Sequence, residues 1–345
     1  MSRRIRLAVL AGGRSSEHEI SLASAASVVA ALDPERYDVR TIEIGRDGRW
    51  ALPAGDGRGE LPSTTTTAAE TLPVPADSAP ATLGAVDVVL PILHGPFGED
   101  GTVQGLCELA GVAYVGPGVL ASSVCMDKDD FKTLMRGAGI PVANHVALRL
   151  GDPVTNPFGY PVFVKPANMG SSVGISKVRD ECQLETAVAL ARRHDEKVMV
   201  EEFVPGMEIE VGVLGNLPSP VASLPGHVVA NNADWYDYSS KYDDGGSELV
   251  IPPPGLTDDQ LERARDLAVR AFVATSCEGM ARADFFVRET DGEILMNELN
   301  TIPGFTATSF YSRLFAATGI AYEELLDRLV ELALERHERR RGLEY

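Results

Sequence analysis

The 345-residue chain is short of positive charge, poor in cysteine and without a long apolar run. Each shortage removes a class of protein. Lysine and arginine number 31 against 50 aspartates and glutamates, a formal net charge of −19. Such a surface repels phosphate backbones and anionic lipid, so neither nucleic acid nor a membrane is expected as the main partner. A phosphate-bearing ligand must then be held by a few local cations against the overall field. No apolar stretch approaches the roughly 20 residues that span a bilayer. Leu7-Ala8-Val9-Leu10, behind Arg3, Arg4 and Arg6, is too short for a signal peptide and runs into Arg14-Ser15-Ser16-Glu17-His18-Glu19; a cytoplasmic protein is expected. The four cysteines (Cys107, Cys125, Cys182, Cys277) form no Cys-x-x-Cys pair and read as buried, reduced thiols. Two nucleotide signatures are also missing. There is no Gly-x-x-x-x-Gly-Lys-Ser/Thr loop and no Gly-x-Gly-x-x-Gly after the first strand, which disfavours a P-loop or a Rossmann dehydrogenase.

What is present is a globular composition, 44% hydrophobic and 23% charged, which argues against wholesale disorder. The length suits two or three domains. The first segment alternates strand and helix: Ile5 to Leu10, a helix from about Ser21 to Leu32, Tyr37 to Ile44, the apolar run Val86 to Leu93, and a helix from about Thr102 to Ala110. That order predicts an α/β fold opening with a doubly wound parallel sheet. Pro53 to Thr82, with Ser63-Thr64-Thr65-Thr66-Thr67 and repeated prolines, reads as an irregular surface excursion. The arginines that close the last helix (Arg336, Arg339, Arg340, Arg341) read as a solvated end favoured by the helix dipole.

Two constellations carry chemistry. Arg282-Ala283-Asp284 opens a strand, and Asn297-Glu298-Leu299-Asn300 closes the returning one. Glu298 and Asn300 share a face because they lie two apart on a strand. A three-residue loop at Thr290-Asp291-Gly292, with the glycine left-handed, sets a register that puts Asp284 opposite Glu298. Two carboxylates so placed repel each other unless a cation such as Mg²⁺, shared with nucleotide phosphates, lies between them. The hairpin alone reads equally as a solvated face of an acidic protein. The second constellation, Lys165-Pro166-Ala167-Asn168-Met169-Gly170-Ser171-Ser172-Val173-Gly174, puts a lysine at a strand end before a small, hydroxyl-rich loop. Such a loop suits a lid whose backbone N–H groups approach phosphate oxygens closely; an ordinary loop is the plainer reading.

Together the motifs resemble D-alanine–D-alanine ligase, of the ATP-grasp superfamily. The resemblance rests on Lys165-Pro-x-x-x-Gly170-Ser171-Ser172-x-Gly174, Glu201-Glu202-Phe203-Val204-Pro205-Gly206-x-Glu208 and Arg282-x-Asp284 with Asn297-Glu298-Leu299-Asn300-Thr-x-Pro303-Gly304. Gly12-Gly13-x-Ser-x-Glu17-x-x-Ile20-Ser21-Leu22 and His94-Gly95-x-x-Gly98-Glu99-Asp100-Gly101 match as well, so nearly the whole chain is covered in order. The clearest departure is the excursion at Pro53 to Thr82.

The resemblance implies a three-domain ATP-grasp fold, with an N-terminal domain over 1–123, a central lid domain over 124–204 and a C-terminal domain over 205–345. It implies ATP-dependent ligation of two D-alanines through an acyl phosphate, for peptidoglycan precursor synthesis. Lys128, Lys165 and Ser172 would contact ATP, with Glu201, Phe203 and Val204 as the hinge against adenine and Glu208 on the ribose. Asp284, Glu298 and Asn300 would hold two Mg²⁺ (or Mn²⁺) ions, and Arg282 with the Gly304 N–H would form an oxyanion hole. Glu17 would bind the ammonium of the first D-alanine, linked by hydrogen bonds to Ser171 and Tyr242, with His94 nearby; Ser309 would receive the carboxylate of the second. Lys241 and Tyr242 fall in the family's mobile loop, and tyrosine there favours D-alanine as second substrate. A homodimer through the first domain is implied too. By themselves Glu17 reads as a first-turn acid and His94 as a turn histidine, while His18, His145, His194, His227 and His337 read as structural or solvated. A different amino-acid pair, or a catalytically silent nucleotide-binding protein, are the alternatives.

Overall fold

β1 (Ile5–Gly12) is an almost unbroken apolar run because both of its faces are covered, and its last six residues are buried. That is a central position in a parallel sheet. β1 pairs in parallel with β2 (Tyr37–Ile44) on one side and β5 (Val88–Pro91) on the other. β6 (Ala113–Tyr114) extends the sheet in parallel beyond β5, and β3 (Trp50–Leu52) and β4 (Leu72–Val74) add an antiparallel edge. The order is β4-β3-β2-β1-β5-β6. Helices α1 (His18–Ala31) and α2 (Thr102–Ala110) make the crossovers. Between β1 and α1 the chain reverses at Gly12 (φ 87°), where a Cβ would stand 2.4 Å from the Ile44 carbonyl oxygen; only glycine fits.

The structure is a computed structural model and describes residues 3–52, 72–74, 83, 85–230 and 247–344. The excursion is corrected at one point, since Leu72–Val74 is a strand of the first sheet. The rest of Pro53 to Thr82, like Trp235, Tyr236, Tyr238, Lys241 and Tyr242, lies outside the described residues.

Helices α3 (Val119–Met126) and α4 (Lys128–Gly137) lead to a four-stranded antiparallel sheet of β7 (His145–Leu148), β8 (Val162–Pro166), β9 (Ser176–Val178) and β10 (Val198–Glu202), ordered β7-β10-β8-β9. α5 (Glu181–Ala191) covers it with Leu184, Ala187, Val188 and Ala191, one face of a 3.6-residue period. A third, antiparallel sheet contains β11 (Gly206–Gly215), β12 (Val221–Ala222), β13 (Gly226–Ala230), β14 (Ser247–Val250), β15 (Gly279–Arg288) and β16 (Ile294–Asn300). α6 (Asp258–Ala274) packs on this sheet and starts at a capping box between Thr257 and Gln260. α7 (Phe310–Ala317) and α8 (Tyr322–Arg341) close the chain.

The β15–β16 hairpin reaches the expected pairing by an unexpected route. Its loop is four residues long, closed by the Arg288 N–H on the Glu293 carbonyl (2.9 Å), with Gly292 left-handed (φ 72°). From Val287↔Ile294 to Phe285↔Met296 the register is therefore one residue off the expected one. A β-bulge at Asn297 absorbs the difference, and Asp284 lies opposite Glu298.

Two expectations are corrected by burial. Cys107, Cys125 and Cys277 are buried, but Cys182 is exposed at the start of α5. Nor does Arg336 belong to the solvated end of α8. Arg336 is 3% exposed, stacks over the Tyr114 ring (4.3 Å) and donates to the carbonyls of Tyr114 (2.7 Å) and Gly116. Arg339, Arg340 and Arg341 are solvated as expected, each paired with a carboxylate: Glu278, Glu108 and Glu338. α8 thus fastens the third sheet to the first. Its Leu325, Leu326, Leu329 and Val330 share one core with Leu7, Val9, Val88 and Leu90. Replacing Arg336 by Met strands two buried carbonyls and is expected to cost about 3 kcal/mol. Urea denaturation measures this, and a loss below about 0.5 kcal/mol, the range of neutral surface changes, would refute the clamp.

Candidate active site

The lysines of the site are aimed by one helix start. Asp127 caps α4, its Oδ1 accepting the N–H groups of Asp129 (3.2 Å) and Asp130 (3.1 Å). Lys197 neutralises the acidic triplet Asp127, Asp129 and Asp130 at 2.6, 3.4 and 3.3 Å. Lys128 and Lys132 follow four residues apart and so leave the helix on the same side. The Lys128 ammonium donates to the Met169 carbonyl in the glycine-rich loop (2.7 Å) and stands 3.3 Å from Glu298 Oε2. Lys132 is fully buried, with its ammonium 2.8 Å from Glu201 Oε2, while Lys165 donates to Glu201 Oε1 at 2.5 Å.

Both oxygens of Glu201 are therefore occupied by ammonium groups, which leaves its backbone as the part open to a ligand. Burial works against the Glu201 charge, but the two lysines outweigh it and hold the carboxyl down at about 2. Burial lowers Lys132 to about 8, against the pull of Glu201, so the pair is ionised at neutral pH.

On the hairpin, Arg282 grips Asp284 with two parallel hydrogen bonds (2.8 and 2.7 Å) and lies 3.1 Å from Glu210 Oε2 on the neighbouring strand. Asn300 donates its amide to Asp284 Oδ2 at 2.9 Å. Asp284, Glu298 and Asn300 thus stand together as the sequence predicts, a hard oxygen donor set whose two carboxylates already draw Arg282 and Lys128 onto them. That donor set fits Mg²⁺ or Mn²⁺.

A second centre adjoins the first. Glu17 is 5% exposed at the start of α1, and the Ser171 hydroxyl donates to it across the glycine-rich loop. Ser171 and Ser172 hold positive φ (49° and 59°), a conformation that costs non-glycine residues energy and persists where surrounding contacts impose it. His94 donates through Nδ1 to the Ile302 carbonyl (3.0 Å), and its own carbonyl accepts the Ser15 hydroxyl (2.7 Å). On the far side, a Cβ at Gly304 would lie 3.4 Å from Ser309 Oγ, so the expected oxyanion donor and the expected carboxylate acceptor are neighbours.

A cavity of about 280 Å³ is lined among others by Lys128, Lys165, Ser171, Phe203, Asp284 and Glu298, whereas Glu17, His94, Arg282, Asn300, Gly304 and Ser309 are not in its lining. Ser172, Val204 and Glu208 line it as well. Lys177 stands 4.1 Å over the Phe203 ring. Four residues near the site carry no role in the sequence reading. Lys132 was detectable as the i+4 neighbour of Lys128, and Glu210 as the i+2 neighbour of Glu208 on one strand face. His227, which lines the cavity and bonds through Nδ1 to the Glu208 carbonyl (2.9 Å), gave no local signal. Glu99 appeared only as one letter of a motif.

The Glu201 ion pairs set a pH dependence. A carboxyl depressed from 4.5 to about 2 in the fold contributes its full stabilisation above pH 4.5 and loses it as pH falls toward 2. Glu201→Gln should flatten that acid limb in pH-resolved urea titrations; an unchanged limb would remove the ion pairs as its cause. Lys132→Met, which strips one partner from a buried carboxylate, is expected to cost about 3 kcal/mol, much of it recovered in the Lys132→Met/Glu201→Gln double variant.

A family model described as D-ala D-ala ligase N-terminus matches residues 6–117, and one described as D-ala D-ala ligase C-terminus matches residues 134–331. The D-alanine–D-alanine ligase of Nocardia farcinica is 48% identical, over 97% of this chain and 99% of its own. Among solved structures, the D-alanine–D-alanine ligase from Coxiella burnetii superposes with a TM-score of 0.83 at 34% identity, covering 99% of this chain and 97% of that one. The enzyme from Bacillus anthracis complexed with ATP superposes with a TM-score of 0.78 at 25% identity, over 97% and 99%. Matched along both halves by the family models and over nearly its whole length by these relatives, the chain belongs to the D-alanine–D-alanine ligase family, with the ATP-grasp fold.

Proposed function

We propose that the cleft joins the carboxyl group of one D-alanine to the amine of a second, converting ATP to ADP and phosphate, as a step in cell-wall precursor synthesis. The observation that carries this is the position of Ser171, which lines the cavity holding Lys128, Lys165, Asp284 and Glu298 and also bonds Glu17. Phosphoryl chemistry and an ammonium anchor meet at that residue.

Lys128, Lys165 and Ser172 hold the phosphates, and the backbone of Glu201 to Val204 holds adenine, with Glu208 on the ribose. Asp284, Glu298 and Asn300 would hold two Mg²⁺ (or Mn²⁺) ions, which when bound offset charge on the transferring phosphoryl group. Glu17, positioned by Ser171, holds the first ammonium, and His94 stands beside it. The first carboxylate takes the γ-phosphoryl group, giving an acyl phosphate and releasing ADP. Ser309 receives the second carboxylate, and the second amine attacks the acyl carbon. Arg282 and the Gly304 N–H stabilise the oxyanion that forms before phosphate leaves. The acyl phosphate hydrolyses readily, so the Gly170–Gly174 loop excludes water.

We also place domain boundaries near residues 123 and 204, the enzyme in the cytoplasm, and a homodimer through the first domain. Among the described residues no helix is long and apolar enough to cross a membrane.

Phosphate release from Mg-ATP, measured beside dipeptide formation, tests the reading. D-Alanine alone should support both, whereas L-alanine, D-lactate plus D-alanine, and D-serine plus D-alanine should not exceed it. Release only with another pair would replace the substrate. Glu298→Gln should lower kcat by about 10²-fold and raise the Mg²⁺ concentration needed for half-maximal rate; unchanged turnover would overturn the metal assignment.

A further inference from the structure

Glu99 lies where the chain segments of the site meet. Its Oε1 accepts the Gly95 N–H at 2.7 Å, and the Ile302 N–H is directed at the same carboxyl group. Its carbonyl accepts the Thr301 hydroxyl at 3.3 Å. Beside it, His94 Nδ1 donates to the Ile302 carbonyl (3.0 Å) and Ser15 Oγ to the His94 carbonyl (2.7 Å). The turn before α1 that presents Glu17, the His94–Glu99 turn and the segment from Asn300 to Gly304 are thus stitched together by the Ser15, His94 and Thr301 side chains, with the Glu99 carboxyl group bracing Gly95 and facing the Ile302 N–H.

The glycine-rich loop seats on the same place. A Cβ on Gly170 would stand 3.2 Å from Glu17 Oε2, 3.8 Å from Glu99 Oε1 and 3.9 Å from Gly95 Cα. Below it a cavity of about 20 Å³, large enough for one water, is lined by Glu99, Lys128, Gly170, Glu298 and Asn300. Two facing anions would repel each other. Burial and then the Glu17 charge lift Glu99 to about 8, however, which eases that repulsion.

We propose that Glu99 is a positioning residue for the ligation, locking the anchor of the first amino acid to the segment that carries Asn300 and the Gly304 oxyanion donor. The inference rests on the site assignments above. Glu99 touches no reacting atom in this account; it sets the distance between the acyl group held by Glu17 and the second amine. A loosened lock lets water compete for the acyl phosphate. A side chain one methylene shorter fails to span Gly95 and Ile302, while glutamine keeps an uncharged amide of the same length.

The experiment compares wild-type enzyme with Glu99→Gln, Glu99→Asp and Glu99→Ala, reading phosphate released, dipeptide formed and KM for ATP. Glu99→Gln should keep kcat within about threefold and release one phosphate per dipeptide, whereas Glu99→Asp and Glu99→Ala should lose about 30-fold or more and release phosphate in excess, with KM for ATP unchanged. Tight stoichiometry and near-wild-type kcat in Glu99→Asp would overturn the proposal, even where Glu99→Ala fails to fold. So would a Glu99→Gln enzyme as impaired as Glu99→Ala, or a loss confined to KM for ATP. A wild-type enzyme that makes no dipeptide would instead overturn the ligase reading, and this inference with it.

Discussion

Two carboxylates facing each other across an antiparallel pair are the constraint around which this molecule is arranged. Asp284 and Glu298 meet because a bulge at Asn297 corrects the register of their hairpin. Once opposed, they need positive charge, and they draw it from different elements: Arg282 from their own strand and Lys128 from α4. The Lys128 contact in turn fixes where α4 must start, which is why Asp127 caps it and Lys197 holds the cap. The same ammonium reaches the Met169 carbonyl, so the glycine-rich loop is tied to the charge balance of the hairpin. One local repulsion therefore organises a helix, a loop and a sheet.

In a chain of net charge −19 the cations at the site are conspicuous. Lys128, Lys132 and Lys165 are all buried, and each has an acidic partner within 3.3 Å. Each acidic partner offsets the cost of burying an ammonium group. The acidic remainder of the surface then helps in a different way, because anions have little to hold them anywhere else.

Much of this was legible in the residues. The strand and helix order of the first sheet follows from continuous apolar runs and glycine turns, and Lys165, the Gly/Ser loop and the closing Asn297–Asn300 segment marked one cleft. The hairpin pairing was legible in outcome but not in cause, since nothing in Asn297 announces a bulge and one extra loop residue is invisible until the strands are paired. Lys132 and Glu210 were one helical turn and one strand repeat from residues already singled out, yet their partners lie far away in sequence. Arg336 was read from its neighbours as a solvated helix end, because the carbonyls of Tyr114 and Gly116 that it satisfies are more than 200 positions away. Long-range polar partners leave no local pattern, and they account for most of what the sequence concealed.

The path of α8 bears on how the polypeptide is made. Leu7, Val9, Val88 and Leu90 of the first sheet share their core with Leu325, Leu326, Leu329 and Val330. While the chain emerges from the ribosome, that sheet can form its parallel ladder, but the face that Ala25 and Val28 of α1 cover in part stays incomplete until α8 docks. Pairings of such sequence separation are slow to close, and the exposed face is a target for aggregation in the interval. The parallel sheet is thus complete only once a helix that follows the third sheet in the chain has docked on it.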